Sequence, residues 1–347
     1  MKFLITGNLG YVGSELTKLL RRAYPDAEIE GFDIGLFSRQ ITNNTYVPEI
    51  FLNRQHYGDV RKFPEQILEG VDIVIQLAAI SNDPIGNKFE KITDEINHLA
   101  AVDITEKAKK QGVKRVVFAS SCSVYGLADD QARTESSEVN PLTAYARSKV
   151  NTENDLKSLA ADDFIVTCLR FATACGMSDR LRLDLVLNDF VAGAYTAKEI
   201  TILSDGSPWR PLINVRDMGR AIIWASERKT SANTNYLVVN AGSNVWNYQI
   251  RDLALEIKSL MPEVDVSINE NAQPDKRSYK VDFSAFADFA PDHQPIYDLR
   301  ATIHDLYEGL KAIQFADKDF RSSSLIRLQV VNALIEKGIF DQNLELL

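Results

Sequence analysis

Thr6-Gly7-Asn8-Leu9-Gly10-Tyr11-Val12-Gly13 follows the apolar run Lys2–Thr6 and opens a helical pattern, Tyr11–Ala23, that turns Val12, Leu16, Leu19 and Leu20 inward. A glycine turn between a strand and a helix lets backbone N–H groups approach a pyrophosphate with no Cβ in the way. The positive end of the helix dipole adds attraction. One extra residue separates the first two glycines relative to Gly-x-Gly-x-x-Gly, a different subtype of turn with the same physics. Gly7, Gly10, Tyr11, Val12 and Gly13 are therefore candidate contacts to a dinucleotide.

Outward from this turn, apolar runs alternate with helical patterns. Glu28–Asp33, 71–79, 113–120 and 164–170 read as strands, and 91–111 and the stretch carrying Tyr145 and Lys149 read as helices. That rhythm predicts an α/β fold, a Rossmann-type doubly wound parallel sheet. After Gly176 the rhythm loosens. Helices are expected at 185–196, Val215–Glu227 and 247–260, with short strands at 199–203, 236–239 and 264–268. These imply a smaller C-terminal α/β substrate lobe over the carboxyl edge of the sheet, where ligands bind in open α/β folds. The expected divisions are 1–176 for the dinucleotide domain, with some later segments returning to it, 177–315 for the lobe, and 316–347 for a helical extension. In that extension Leu325, Leu328, Val331, Leu334 and Ile335 form one stripe, a capping helix or a partner-binding one.

Composition narrows the possibilities. The chain has 347 residues, 45% hydrophobic, with a formal net charge of −9. That acidity argues against nucleic-acid partners, which need cationic surfaces, but admits a small anionic ligand held by local arginines. No apolar run is long enough to span a bilayer, and since Met1–Gly7 runs straight into a glycine turn, no signal peptide is expected. Cys122, Cys168 and Cys175 lack disulfide or zinc spacing, and the four histidines are scattered, so no metal site and a reducing cytoplasm are expected.

Asp33 ends the second strand, placed to accept hydrogen bonds from adenosine ribose hydroxyls. It would repel a 2′-phosphate, and no arginine follows it directly, which favours NAD over NADP. Asp59 and Val60 follow another short strand, where Asp59 can accept from an adenine amino group. Leu77-Ala78-Ala79 ends the fourth strand with small residues that leave the cofactor space to cross, and Ser81 follows as a candidate substrate contact.

Tyr145 and Lys149 lie four apart on one helical face. A free phenol titrates near 10, too high for a neutral-pH base; an adjacent ammonium lowers that value. Ser120-Ser121-Cys122-Ser123-Val124-Tyr125-Gly126 follows a strand whose carboxyl end should meet the nicotinamide. Ser121 can hold a substrate oxygen while Tyr145 removes its proton, with Ser123 as a second polar contact. The plainer alternative for these serines is satisfaction of turn backbone.

These residues resemble the extended short-chain dehydrogenase/reductase family, above all its nucleotide-sugar epimerases and dehydratases. The likeness runs over Thr6–Gly13, Asp33, Gly58-Asp59, Leu77–Ala79, Ser120–Gly126, Tyr145–Lys149 and Leu169–Gly176. It implies Ser121, Tyr145 and Lys149 as catalytic residues, NAD as cofactor, and a homodimer through 91–111 and 145–161. Trp209-Arg210-Pro211-Leu212-Ile213-Asn214-Val215-Arg216-Asp217 is similar to the segment whose arginine grips a nucleotide diphosphate. Pro274-Asp275-Lys276-Arg277-Ser278-Tyr279 is similar to the segment supplying a second one. Arg210 and Arg277 are thus implied substrate contacts, with surface ion pairing as the alternative, and Asn188 falls near the family's diphosphate-binding asparagine. The 182–190 and 274–277 segments together look most like a branch that includes GDP-heptose 4-dehydrogenases.

Two departures matter. Dehydratases of the family place Asp-Glu after the catalytic hydroxyl residue; here Cys122 and Ser123 stand there, so 4,6-dehydration is not expected. Gln76 replaces a common histidine. The resemblance implies an epimerase that transiently oxidises a ring hydroxyl, most plausibly at C4. A 4-dehydrogenase that releases the keto sugar, a ketoreductase, and a non-catalytic NAD-sensing regulator are the alternatives.

Overall fold

The computed structural model describes the chain except residues 82, 128–130, 231–233, 270–271 and 273–277. In chain order the strands are β1 Lys2–Thr6, β2 Glu28–Asp33, β3 Arg54–Tyr57, β4 Ile73–Gln76, β5 Arg115–Ser121, β6 Ile165–Phe171, β7 Thr173–Cys175, β8 Glu199–Ile202, β9 Trp209–Asn214, β10 Tyr236–Ala241, β11 Asn247–Gln249 and β12 Asp265–Ile268. The helices are α1 Tyr11–Ala23, α2 Asp83–Lys88, α3 Glu90–Asp94, α4 Ala100–Lys110, α5 Ala144–Leu159, α6 Val186–Thr196, α7 Val215–Glu227, α8 Ile250–Leu260, α9 Ser284–Phe289, α10 Leu299–Ala312 and α11 Arg327–Glu336.

Seven strands form one parallel sheet in the order β3-β2-β1-β4-β5-β6-β10. Side chains alternate faces along each strand, so a sheet covered on both sides must be apolar at every position. β1 and β4 follow this between their polar ends (Lys2, Thr6 and Gln76): Phe3 and Ile5 join α1 and α7 residues in one core, while Leu4 and Val74 join Ile104 and Leu156 in another. The strand order reverses between β1 and β4, which opens a crevice at their carboxyl ends.

Residues 236–239, grouped with the smaller lobe on sequence rhythm, instead lie in the central sheet. β10 pairs in parallel with β6 from Tyr236↔Val166 to Ala241↔Phe171. α7 also returns, packing on α1 so closely that a Cβ on Gly219 would lie 2.4 Å from Leu19 Cδ1. Local pattern marks an apolar strand but not the sheet that receives it. The remaining lobe holds a three-stranded sheet, β7-β9-β11, and a two-stranded one, β8-β12, over a core that includes Leu187, Phe190, Ile200, Leu253 and Leu306. Among the described residues no helix is long and apolar enough to cross a membrane.

The expected helix 91–111 is interrupted. Between α3 and α4, Glu95–Leu99 winds as a π-helical turn. Such bulges redirect one side chain, often at a functional site. Here that side chain is Asn97, fully buried: its Oδ1 accepts from Ile80 N–H (2.8 Å) and its Nδ2 donates to Ile80 O (3.0 Å) and Ser148 Oγ (3.2 Å). It ties the segment after β4 to α5.

Candidate active site

At the switch point lies a cavity of about 940 Å³. Its inner wall is the glycine turn. Gly7 has φ +77°, and a Cβ there would meet Ala78 N at 2.4 Å, so the turn and the end of β4 touch backbone to backbone. A Cβ on Gly13 would lie 2.5 Å from Asn8 Cα. Gly10 differs. Its backbone is extended and its added Cβ would meet only Gly7 O at 3.2 Å, so its missing side chain leaves cavity space rather than relieving strain. No side chain caps α1 at Gly10, and the first-turn N–H groups of Tyr11, Val12 and Gly13 remain for an anion. This uncapped cradle fits a dinucleotide's diphosphate.

Asp33 stands at the end of β2, its carboxylate accepting from Gly35 N–H (2.7 Å) and Leu9 N–H (3.1 Å). Burial pushes its pKa above the ordinary carboxylate value, with those two donors opposing. Asp59 also lines the cavity, but its carboxylate is chelated by Arg61 Nε (2.9 and 3.1 Å) and Nη2 (2.6 Å). Val60, Leu77, Ala78, Ala79 and Ser81 complete this wall.

Tyr145, Lys149, Ser121 and Ser123 line the same cavity. Thr143 caps α5, its Oγ1 accepting from Ala146 N–H at 3.2 Å, which starts the helix just before Tyr145. Lys149 Nζ lies 5.5 Å from the centroid of the Tyr145 ring and 4.5 Å from that of Phe118. Burial pushes the Lys149 ammonium down to about 7, against the opposing charge of Glu153. Ser121, the last residue of β5, accepts from Ser123 N–H at 3.1 Å. Ser123 Oγ is buried with no hydrogen-bond partner among the described residues.

Sequence reasoning missed the group behind this pair. Glu153, one helical turn past Lys149, is buried and accepts from Arg170 Nε (3.0 and 3.1 Å), Arg170 Nη2 (2.6 Å) and Ser120 Oγ. Arg170 Nη1 in turn donates to the Tyr125 hydroxyl at 3.0 Å. The four-residue spacing Tyr145, Lys149, Glu153 was the available signal.

On the substrate side, Arg210 and Tyr279 line the cavity, the guanidinium 5.8 Å from the ring centroid. Arg277 lies outside the described residues. Asn188 does not form part of the cavity wall. It is fully buried, its Oδ1 accepting from Gly176 N–H (2.9 Å) and its Nδ2 donating to Arg182 O (3.0 Å), so its amide pins the chain behind the site. Arg182 takes the wall position instead. It chelates Asp184 at 2.6 and 3.0 Å and donates to Ser81 Oγ at 2.8 Å. An Asp189–Arg321 ion pair (2.6 Å), Arg327, Val331 and Leu344 also line the cavity. Asp189 and Val331 fall in segments already singled out, but nothing local in the sequence brings Arg321, Arg327 and Leu344 to this wall.

Residues 3–242 match the model of the NAD dependent epimerase/dehydratase family. A UDP-glucose 4-epimerase of Corynebacterium glutamicum is 26% identical over 74% of this chain and 80% of its own length. An N-acetyl-alpha-D-glucosaminyl-diphospho-ditrans,octacis-undecaprenol 4-epimerase of Escherichia coli O157:H7 is 26% identical over 77% and 72%. Among solved structures, the NAD dependent NDP-hexosamine 5,6-dehydratase TunA superposes with TM-score 0.77 at 23% identity, over 92% of this chain and 99% of its own. A UDP-glucuronic acid 4-epimerase of Bacillus cereus in complex with NAD superposes with TM-score 0.75 at 22% identity, over 90% and 96%. At these identities the structural likeness speaks for the fold.

Proposed function

Because this chain belongs to the NAD dependent epimerase/dehydratase family, we propose that it epimerises a nucleotide-diphosphate sugar at C4. The observation that carries the reading is the single cavity shared by Ser121, Tyr145, Lys149 and the uncapped glycine turn. Gly7, Gly10–Gly13, Asp33, Asp59, Val60 and Leu77–Ala79 would hold NAD, and Arg210, Arg277, Ser81 and Ser123 the sugar nucleotide. Bound NAD supplies a hydride acceptor that can return what it takes.

The protein's part is proton transfer and positioning. Ser121 Oγ holds the sugar C4 oxygen, and Tyr145 takes the hydroxyl proton as the C4 hydrogen leaves with its electron pair. In its charged form Lys149 stabilises the phenolate electrostatically. After the keto sugar has rotated in the pocket, Tyr145 would return its proton to the C4 oxygen as that carbon is reduced from its other face. Atoms and electrons then balance with no net redox change. The buried thiols support a reducing cytoplasm as its setting, and the family likeness supports a homodimer through α4 and α5.

The test is incubation with UDP-, GDP-, dTDP- and CDP-sugars, with products read by NMR and the NADH absorbance band followed. A C4-inverted sugar without growth of that band is the expected result. Stoichiometric growth of the band with a keto sugar would replace epimerase by 4-dehydrogenase, and inversion at another carbon would overturn the C4 assignment.

A further inference from the structure

The carboxyl-terminal segment builds a wall of the cavity that no family motif covers. Val331 and Leu344 pack in one cluster with Ile80, Ile85, Phe89 and Ile92, so the tail sits on the segment after β4. Its far end is pinned to the Asp59 loop. Arg61 donates from Nη1 to Asn343 O (2.8 Å) and from Nη2 to Leu344 O (3.1 Å), and Lys62 pairs with Glu345 at 2.9 Å.

At the start of α11, Arg327 is only 2% exposed. Its guanidinium lies 4.4 Å over the Phe37 ring, and Nη2 donates to Arg180 O at 2.9 Å. Nη1 is buried and has no hydrogen-bond partner among the described residues. Two other buried arginines stand nearby, and each has its carboxylate: Arg180 pairs with Glu49 (2.5 Å) and Arg182 with Asp184 (2.6 Å). Arg327 has no ion pair among the described residues. Burial, and after it the field of Arg182, push its guanidinium down to about 9, with the more distant charge of Asp184, already chelated by Arg182, opposing. A buried cation without a counter-charge is costly, and an anion in the adjoining cavity offsets that cost.

The position of the guanidinium says which anion. Phe37, whose ring the guanidinium covers, lies four residues after Asp33, and both line the cavity together with Arg327 and the glycine turn. The arginine therefore lines the cavity on the side of the segment that follows Asp33.

We infer that Arg327 is an anion-binding residue for the diphosphate of the dinucleotide, and that the tail from α11 to Leu344 is the outer wall retaining the cofactor. The inference rests on the reading of the glycine turn as the cofactor cradle. Calorimetric titration of the full-length protein with ADP, adenosine, UDP and GDP tests it, beside the exchange rate of bound NAD against labelled NAD. Arg327→Met should weaken ADP binding roughly 10- to 100-fold, the scale of a hydrogen bond to a charged group. It should speed NAD exchange, and adenosine, UDP and GDP should bind as before. ADP bound by the variant as tightly as by wild type overturns the inference. So does loss of UDP or GDP binding with ADP retained, which would assign the arginine to the substrate's diphosphate. Wild-type protein that binds neither ADP nor NAD would instead refute the cradle itself. Arg327→Gln, which keeps planar donors but no charge, gives the same outcomes should the methionine variant fail to fold.

Discussion

Glu153→Gln tests whether the ion pair behind the active-site lysine holds the fold as well as the field. Glu153 and Arg170 are both buried, and the carboxylate takes three contacts from the guanidinium and one from Ser120. A glutamine keeps the shape but leaves the Arg170 charge without its partner. Removing one member of a buried pair costs about 3–5 kcal/mol; the retained amide oxygen puts this change at the lower end, about 3. Unfolding entropy of ~2.1 cal/mol/K per residue, over 347 residues, comes to roughly 0.7 kcal/mol/K. The melting temperature should therefore fall about 4 °C in a calorimetric scan of the cofactor-free protein. Adding Arg170→Met should restore most of the loss, because a charge-free pair no longer strands a buried cation. A drop under about 1 °C, the range of a surface substitution, or a double variant worse than the sum of the singles, would refute the reasoning.

Three further outcomes are expected. Tyr145→Phe should lower kcat by at least about 100-fold, the usual scale of a lost acid–base group, while NAD affinity stays unchanged by calorimetry; unchanged kcat would remove the phenol from the reaction. Folded Lys149 releases its proton near 7, whereas the unfolded side chain holds it to about 10.4. The folded state thus binds fewer protons in between, and this group's contribution to stability rises as pH climbs through that window. Lys149→Met should flatten the rise in melting temperature of the cofactor-free protein, so parallel curves for the two proteins would sink the assignment. Gly10→Val should cost at most a few degrees of melting temperature, since the backbone there is extended and the added Cβ crowds only the Gly7 carbonyl oxygen at 3.2 Å. It should nonetheless weaken NAD binding by at least about 10-fold by filling the cradle; wild-type affinity would mean that the diphosphate lies elsewhere.

What the amino-acid sequence by itself determined was local. The glycine turn, the strand–helix alternation and the Tyr145–Lys149 face all rest on spacings of a few residues, and backbone geometry imposes those whatever surrounds them. Packing changed one of those readings, since residues 91–111 gained a π-helical turn that seats Asn97, and it turned Asn188, a contact implied by the family resemblance, toward Gly176 rather than the cavity wall. The return of α7 and β10 to the central sheet, the Glu153–Arg170 pair, and the arrival of Arg327 and Leu344 in the wall of the cavity that the glycine turn also lines belong to the tertiary structure alone. Contacts between segments far apart in the chain leave no period in the sequence, because the fold, not the neighbouring residue, supplies the partner.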